Sequence, residues 1–125
     1  VQPIDGRSFI PLLTGKGENP SDGRALFWNC PNLWDGSGPG VGPSCTIREG
    51  DWKLIYFYET GKKELFNISE DIGENHEQSA SYPERVTGLS AKLGTYLRSV
   101  DAQRPSFKAT GKPCPWPDEK NEKRK

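Results

Sequence analysis

Residues 47–74 read IREGDWKLIYFYETGKKELFNISEDIGE. The run 52–58 alternates two sets of side chains. Trp52, Leu54, Tyr56 and Tyr58 point one way and Lys53, Ile55 and Phe57 the other, because successive Cβ atoms of a strand project to opposite faces. Glu49-Gly50-Asp51 precedes this run and Glu59-Thr60-Gly61-Lys62 follows it, each with a glycine free to take positive φ in a tight turn. The spacing predicts three consecutive strands, over 44–48, 52–58 and 63–68, joined as hairpins. Both faces of 52–58 are apolar, which predicts a central strand covered on both sides.

The elements around this stretch follow from punctuation and period. Residues 24–29 form a further strand candidate, bounded by the turn residues of 20–23 and by Pro31. Residues 31–43 hold Gly36, Gly38, Gly40 and Gly42 together with Pro31, Pro39 and Pro43, so they read as a long loop, a kind that is often functional. Ser81 and Glu84 have capping-box spacing, with Pro83 in the first turn. Val86, Leu89, Leu93, Tyr96, Leu97 and Val100 follow at steps of three and four, which predicts an amphipathic helix of about five turns. Gly88 and Gly94 each cost that helix up to ~1 kcal/mol relative to alanine, so packing has to hold it. Near the start, Asp5 or Ser8 can cap a short helical turn that Gly15 ends. Its Phe9, Ile10, Leu12 and Leu13 are too few to be a core. The expected fold is α+β, a four-stranded antiparallel sheet packed against one long C-terminal helix. Trp28, Trp52, Tyr56, Phe57 and Phe66 read as core aromatics. Residues 1–23 read as a docking segment, 24–105 as the packed subdomain and 106–125 as an irregular, Pro-rich and charged tail.

Composition narrows the function. The 125 residues are 32% hydrophobic and 27% charged, with 14 glycines, 11 prolines and a mean hydropathy of -0.80. Such a chain affords one small core. Seventeen basic residues balance seventeen acidic ones, so nothing draws the domain towards nucleic acid or an anionic membrane. No apolar run approaches the ~20 residues of a membrane span. Three cysteines without a CxxC pair, and the single His76, argue against a structural zinc site. The sequence starts at Val1 and has no methionine, as expected of a processed, cleaved or engineered piece or of a mature secreted protein.

Residues 47–74 also resemble the carboxy-terminal subdomain of formylglycine-type sulfatases, the sulfate-ester hydrolases related to alkaline phosphatase. That family carries a pattern close to IRxGxWKLIxFxExGxxELYNLxxDxGE. Arg48, Gly50, Trp52, Lys53, Leu54, Ile55, Phe57, Glu59, Gly61, Glu64, Leu65, Asn67, Asp71, Gly73 and Glu74 fall on it. The segment from Asp5 to Gly15 is similar to DGxSxxPLLxG, found where such chains leave the catalytic domain. The resemblance implies a parent hydrolase, bacterial and periplasmic or secreted, that acts on sulfated carbohydrate. It implies a formylglycine nucleophile made from a Cys-x-Pro-x-Arg or Cys-x-Ala-x-Arg motif, and a calcium ion held by carboxylates. Cys30, Cys45 and Cys114 all miss that motif, and no Asp-Asp pair of the family's metal type is present. The expected catalytic and metal residues in this chain are therefore none, with calcium and formylglycine supplied by an N-terminal catalytic domain of the same parent chain.

One part of the chain carries a binding expectation. Sulfatases often place FWHYPH after the first of these strands, at the rim of the substrate pocket. This chain reads Phe27-Trp28-Asn29-Cys30-Pro31-Asn32 there, with Trp34 following. The resemblance makes Asn29, Asn32 and Trp34 the candidate substrate-binding residues: amides that hydrogen-bond sugar hydroxyls but do not titrate near neutral pH, and an indole to stack on a sugar face. The competing reading is structural, with polar loop residues and a packed tryptophan. Arg48 and Lys53 suit either an anion or a salt-bridged hairpin. Asp71, Gly73 and Glu74 with Asn67 suit either a cation loop or a plain turn, and miss the EF-hand spacing. An independent carbohydrate- or protein-binding module is the alternative for the whole chain. It would bury Phe9, Ile10, Leu12 and Leu13, whereas a sulfatase piece would leave them exposed.

Overall fold

The computed structural model describes residues 8–15, 23–32 and 42–119. Its elements run α1 (Ile10–Thr14), β1 (Leu26–Cys30), β2 (Ser44–Glu49), β3 (Trp52–Phe57), β4 (Lys63–Asn67) and α2 (Pro83–Ser99). The four strands form one antiparallel sheet in the order β1-β2-β3-β4. Gly50 (φ 57°) turns β2 into β3, and Gly61 (φ 71°) turns β3 into β4. The second turn is closed by Gly61 N–H donating to Phe57 O at 2.8 Å. The expected α+β architecture is the observed one.

Register sorts the side chains. Phe27, Ile47, Leu54 and Leu65 line up across the four strands on the inner face. Helix α2 lies on β2 and β3 there and brings Leu89, Leu93 and Leu97 down onto Cys45, Ile47, Leu54, Tyr56, Tyr58 and Leu65. Tyr96 stacks on Phe27, with ring centroids 3.8 Å apart and planes within 8°. That contact carries the helix as far as the β1 edge.

Several expectations change on this scaffold. The capping box is not made. Tyr82 is the N-cap residue, and no side chain caps α2. Ser81 and Tyr82 both donate their N–H to Gln78 O, so the preceding turn runs into the helix and leaves Ser81 one position too early. Val100 is the C-cap residue and is exposed, outside the stripe. Trp28 is 48% exposed rather than core, because its parity puts it on the face that α2 does not cover. The outer face of β3 is half-buried, not sealed. In α1, Gly15 ends the turn in the left-handed region, as its position suggested. Phe9 is the N-cap residue, with Ser8 Oγ accepting from Ile10 N–H at 3.3 Å.

The packed unit also extends past residue 105. Cys114, Trp116 and Pro117 are buried, and the first two belong to the main core cluster. Tyr56 Oη donates to Pro115 O at 3.0 Å. Arg104 lies 4.8 Å over the Trp116 ring and donates to Cys114 O. Arg98 forks onto the Asp118 carboxylate. Irregular backbone thus completes the core beside the sheet.

Candidate functional site

The candidate site lies where β1 ends and the 31–43 loop leaves the sheet. Asn29 is on the inner face, opposite Cys45. Its Nδ2 donates to Gln103 O at 2.7 Å and its Oδ1 accepts from Tyr58 Oη at 2.8 Å. One amide therefore ties β1 to the residue that follows β3 and to the segment that follows α2. An amide has two N–H groups and two lone pairs, and the tie engages one of each. Tyr58 is fully buried, and burial pushes its hydroxyl well above the usual phenol range, with the nearby Cys45 adding to the shift. It stays protonated, as a donor to Asn29 must.

Asn32 is exposed at the start of the loop. Trp34 lies outside the described residues. The structure thus holds Asn29 in the scaffold and Asn32 in solvent. Beside them runs a cleft of about 670 Å³ between the two ends of the loop and the 105–114 segment. Pro31, Pro43, Pro105 and Phe107 form its apolar wall, and Glu59 and Lys108 its charged rim. The 105–114 segment folds back on itself there. Phe107 N–H donates to Lys112 O at 2.9 Å, and Ser106 bridges to Pro113. An apolar wall with a polar rim suits a sugar ring, whose C–H faces are apolar and whose edges hydrogen-bond. No sequence signal singled out this cleft, because its walls come from three distant segments.

The other candidates fall into structural roles. Lys53 Nζ pairs with Glu74, and Arg48 Nε donates to Gly50 O at 3.3 Å. Asp71 accepts from His76 N–H at 2.7 Å and from Asn75, and these bonds hold its carboxyl below the usual range. Asn67 Oδ1 accepts from Ser69. The 67–76 loop is a self-bonded turn, and its Glu74, rather than Glu49, Asp51 or Glu64 of the hairpins, is the partner of Lys53. Among the described residues no group of three His, Cys, Asp or Glu side chains converges to hold a metal ion. Burial pushes the Cys45 thiol up to about 12, against the lowering effect of its hydrogen bond with Tyr58. Such a thiol is inert as a nucleophile near neutral pH. Burial raises the Cys114 thiol as well. Among the described residues no helix is long and apolar enough to cross a membrane.

Comparison with known proteins places this geometry. No protein-family profile matches the sequence. A sulfatase of Formosa agariphila is 33% identical over 105 residues, 79% of this chain and 18% of that protein. This chain is a sulfatase homologue. Among solved structures, BT4656 in complex with its substrate D-glucosamine-2-N,6-O-disulfate superposes with a TM-score of 0.58 at 25% identity, over 81% of this chain and 21% of the other. A candidate sulfatase from Bacteroides thetaiotaomicron shares the fold, with a TM-score of 0.57 at 18% identity over 97% of this chain and 27% of its own. The homologue spans about a fifth of the length of the sulfatase that it matches.

Proposed function

We propose that this chain is the C-terminal part of a formylglycine-type sulfatase that hydrolyses sulfate esters of carbohydrates in the periplasm or outside the cell. The observation that carries the reading is the 33% identity with a sulfatase of which this chain spans only 18%. The likeness to a structure holding a disulfated glucosamine favours a sugar as the substrate. Exposure of Phe9 (63%), Ile10 (62%), Leu12 (53%) and Leu13 (73%) favours a piece of a larger protein over a self-sufficient binding module.

The described residues do not fit the calcium ion that such an enzyme uses, and none of the three cysteines has the sequence context of a formylglycine. The described side chains offer no metal cluster, two of the three thiols are buried, and Cys30 is followed by Pro-Asn-Leu-Trp. The chemistry is therefore assigned to the catalytic domain that would precede residue 1. The role left to this chain is to brace that domain and to supply one wall of the substrate pocket. Asn29 holds the end of β1 from which the loop departs, and Asn32 and Trp34 are the residues assigned to sugar contact.

The test is to express the whole open reading frame that contains these residues and assay it against sulfated monosaccharides, beside the 125-residue chain. The expected outcome is calcium-dependent sulfate release by the former and none by the latter. An open reading frame without a Cys-x-Pro-x-Arg, Cys-x-Ala-x-Arg or Ser-x-Pro-x-Arg motif, or turnover by the short chain, refutes the reading.

A further inference from the structure

The sheet has two faces and α2 covers one. On the other, the register places Trp28, Thr46, Ile55 and Glu64 in one cross-strand row. Leu26 and Phe57 lie in the rows beside it. Leu26 is 38% and Trp28 48% exposed, while Ile55 and Phe57 are half-buried. These four side chains form an apolar strip across β1 to β3, with Thr46 and Ser44 between them on β2 and the exposed Arg48 directly opposite Leu26 at one end. The strip fades towards β4, where Phe66 is 5% exposed and Glu74 reaches over to Lys53.

The two sheet edges differ in the same sense. The β4 edge is closed: Leu65 N–H donates to Glu77 Oε1 at 3.0 Å, and Leu65 O accepts from Gln78 N–H at 2.8 Å. At β1, no backbone–backbone hydrogen bond among the described residues reaches the edge that faces away from β2. An edge that no described backbone pairs with, beside exposed large apolar side chains, is a surface that proteins keep covered.

We propose that the outer face of β1–β3, centred on Leu26 and Trp28, is the seat of the larger part of the sulfatase polypeptide. This rests on the reading of the chain as one part of such an enzyme. The relatives argue for that occupant over a second copy. The matching unit is 18% of one protein and 21% of another, so most of each chain lies outside it and is covalently attached. A tethered partner has a high effective concentration and outcompetes a free one. Trp28 faces away from Asn29, which pairs on the inner side with Cys45, so the larger part would grip the subdomain on the face opposite the one Asn29 occupies.

The test is oxidative footprinting, read by mass spectrometry, of the 125-residue chain and of the full-length polypeptide that contains it. Trp28 and Leu26 should label in the short chain and lose that labelling in the long one. The exposed Ile72 and Tyr82 should label alike in both. The paired change Leu26→Ser with Trp28→Ser should leave the melting temperature of the short chain unchanged and lower that of the long one. Equal labelling of Trp28 in both forms overturns the proposal. So does protection in the short chain that disappears on dilution, since the occupant is then a second copy. If the long chain cleaves sulfate esters while Trp28 still labels, the seat is wrong and the functional reading stands. If Trp28 is protected but no sulfate is released, the reverse holds.

Discussion

The inner and outer faces of the same four strands have had opposite treatment. On the inner face Ile47, Leu54 and Leu65 are sealed under α2. On the outer face Leu26 and Trp28 stand in solvent, although they alternate with inner-face residues along one strand. Hydrophobicity alone does not distinguish the two. The difference lies in what the chain can lay across each face. Helix α2 supplies three leucines to one side, and among the described residues no helix or strand is laid across β1 on the other. Apolar area without an internal partner is the mark of a unit shaped for something beyond itself.

The comparison can be broken by mutation, and the largest effect is expected on the sealed side. Leu93→Ala, in the middle of α2, should cost about 2–5 kcal/mol, a large share of a small domain's stability. Chemical denaturation measures it, and a loss below that of a surface change would mean the helix does not hold the core. Tyr58→Phe comes next. It leaves Asn29 Oδ1 without its donor and should cost about 1–3 kcal/mol while leaving the sheet intact by circular dichroism. Under the proposed function it should also raise the KM of the full-length polypeptide for a sulfated sugar.

The tail that completes the sealed side should respond to acid. The hydrogen bonds from Arg98 hold the Asp118 carboxyl below the usual carboxylate range. A folded value below the unfolded one means this stabilisation is present above the ordinary Asp range, near pH 4, and is lost as pH falls through the folded value. Asp118→Asn should therefore lower the melting temperature at neutral pH and flatten its decline in acid. Identical pH profiles for the two proteins would show that the clamp contributes nothing.

Two glycines on α2 make a finer contrast. Gly88 faces open space, so Gly88→Ala should stabilise the chain by up to ~1 kcal/mol through helix propensity. A Cβ at Gly94 would collide with the Asp118 carboxylate, so Gly94→Ala should forfeit that gain until Asp118 is removed as well. A double-mutant cycle reads the coupling. The smallest effect is expected on the open face. Trp28→Thr in the 125-residue chain should shift stability by no more than about 0.5 kcal/mol. A loss as large as that of Leu93→Ala would erase the distinction between the faces.

How much could be read in advance depended on range. Strands 52–58 and 63–68 were legible because parity and turn glycines act within a few residues, and both were placed within one residue of their observed ends. The α2 stripe was legible for the same reason at Leu89, Leu93 and Leu97. It failed at Val100, where the helix had already ended. Trp28 was misjudged because composition says that an indole is apolar, not which way its strand parity turns it. The candidate site was placed around Asn29 from the sequence resemblance, and the geometry of Asn29 was not part of that reading. Its bonds to Tyr58 and Gln103 were not legible, since those partners lie 29 and 74 positions away.

By itself, then, the order of residues determined the strands, their turns, the helix and the resemblance to sulfatases, all of which rest on local stereochemistry and short spacings. Only the tertiary structure decided that Cys114 and Trp116 belong to the core, that Glu74 answers Lys53, that Asn29 braces three segments, and that Leu26 and Trp28 stay exposed on the outer face of β1. Those outcomes depend on contacts between distant segments, where the shape and extent of α2 choose which apolar surface leaves water and which does not.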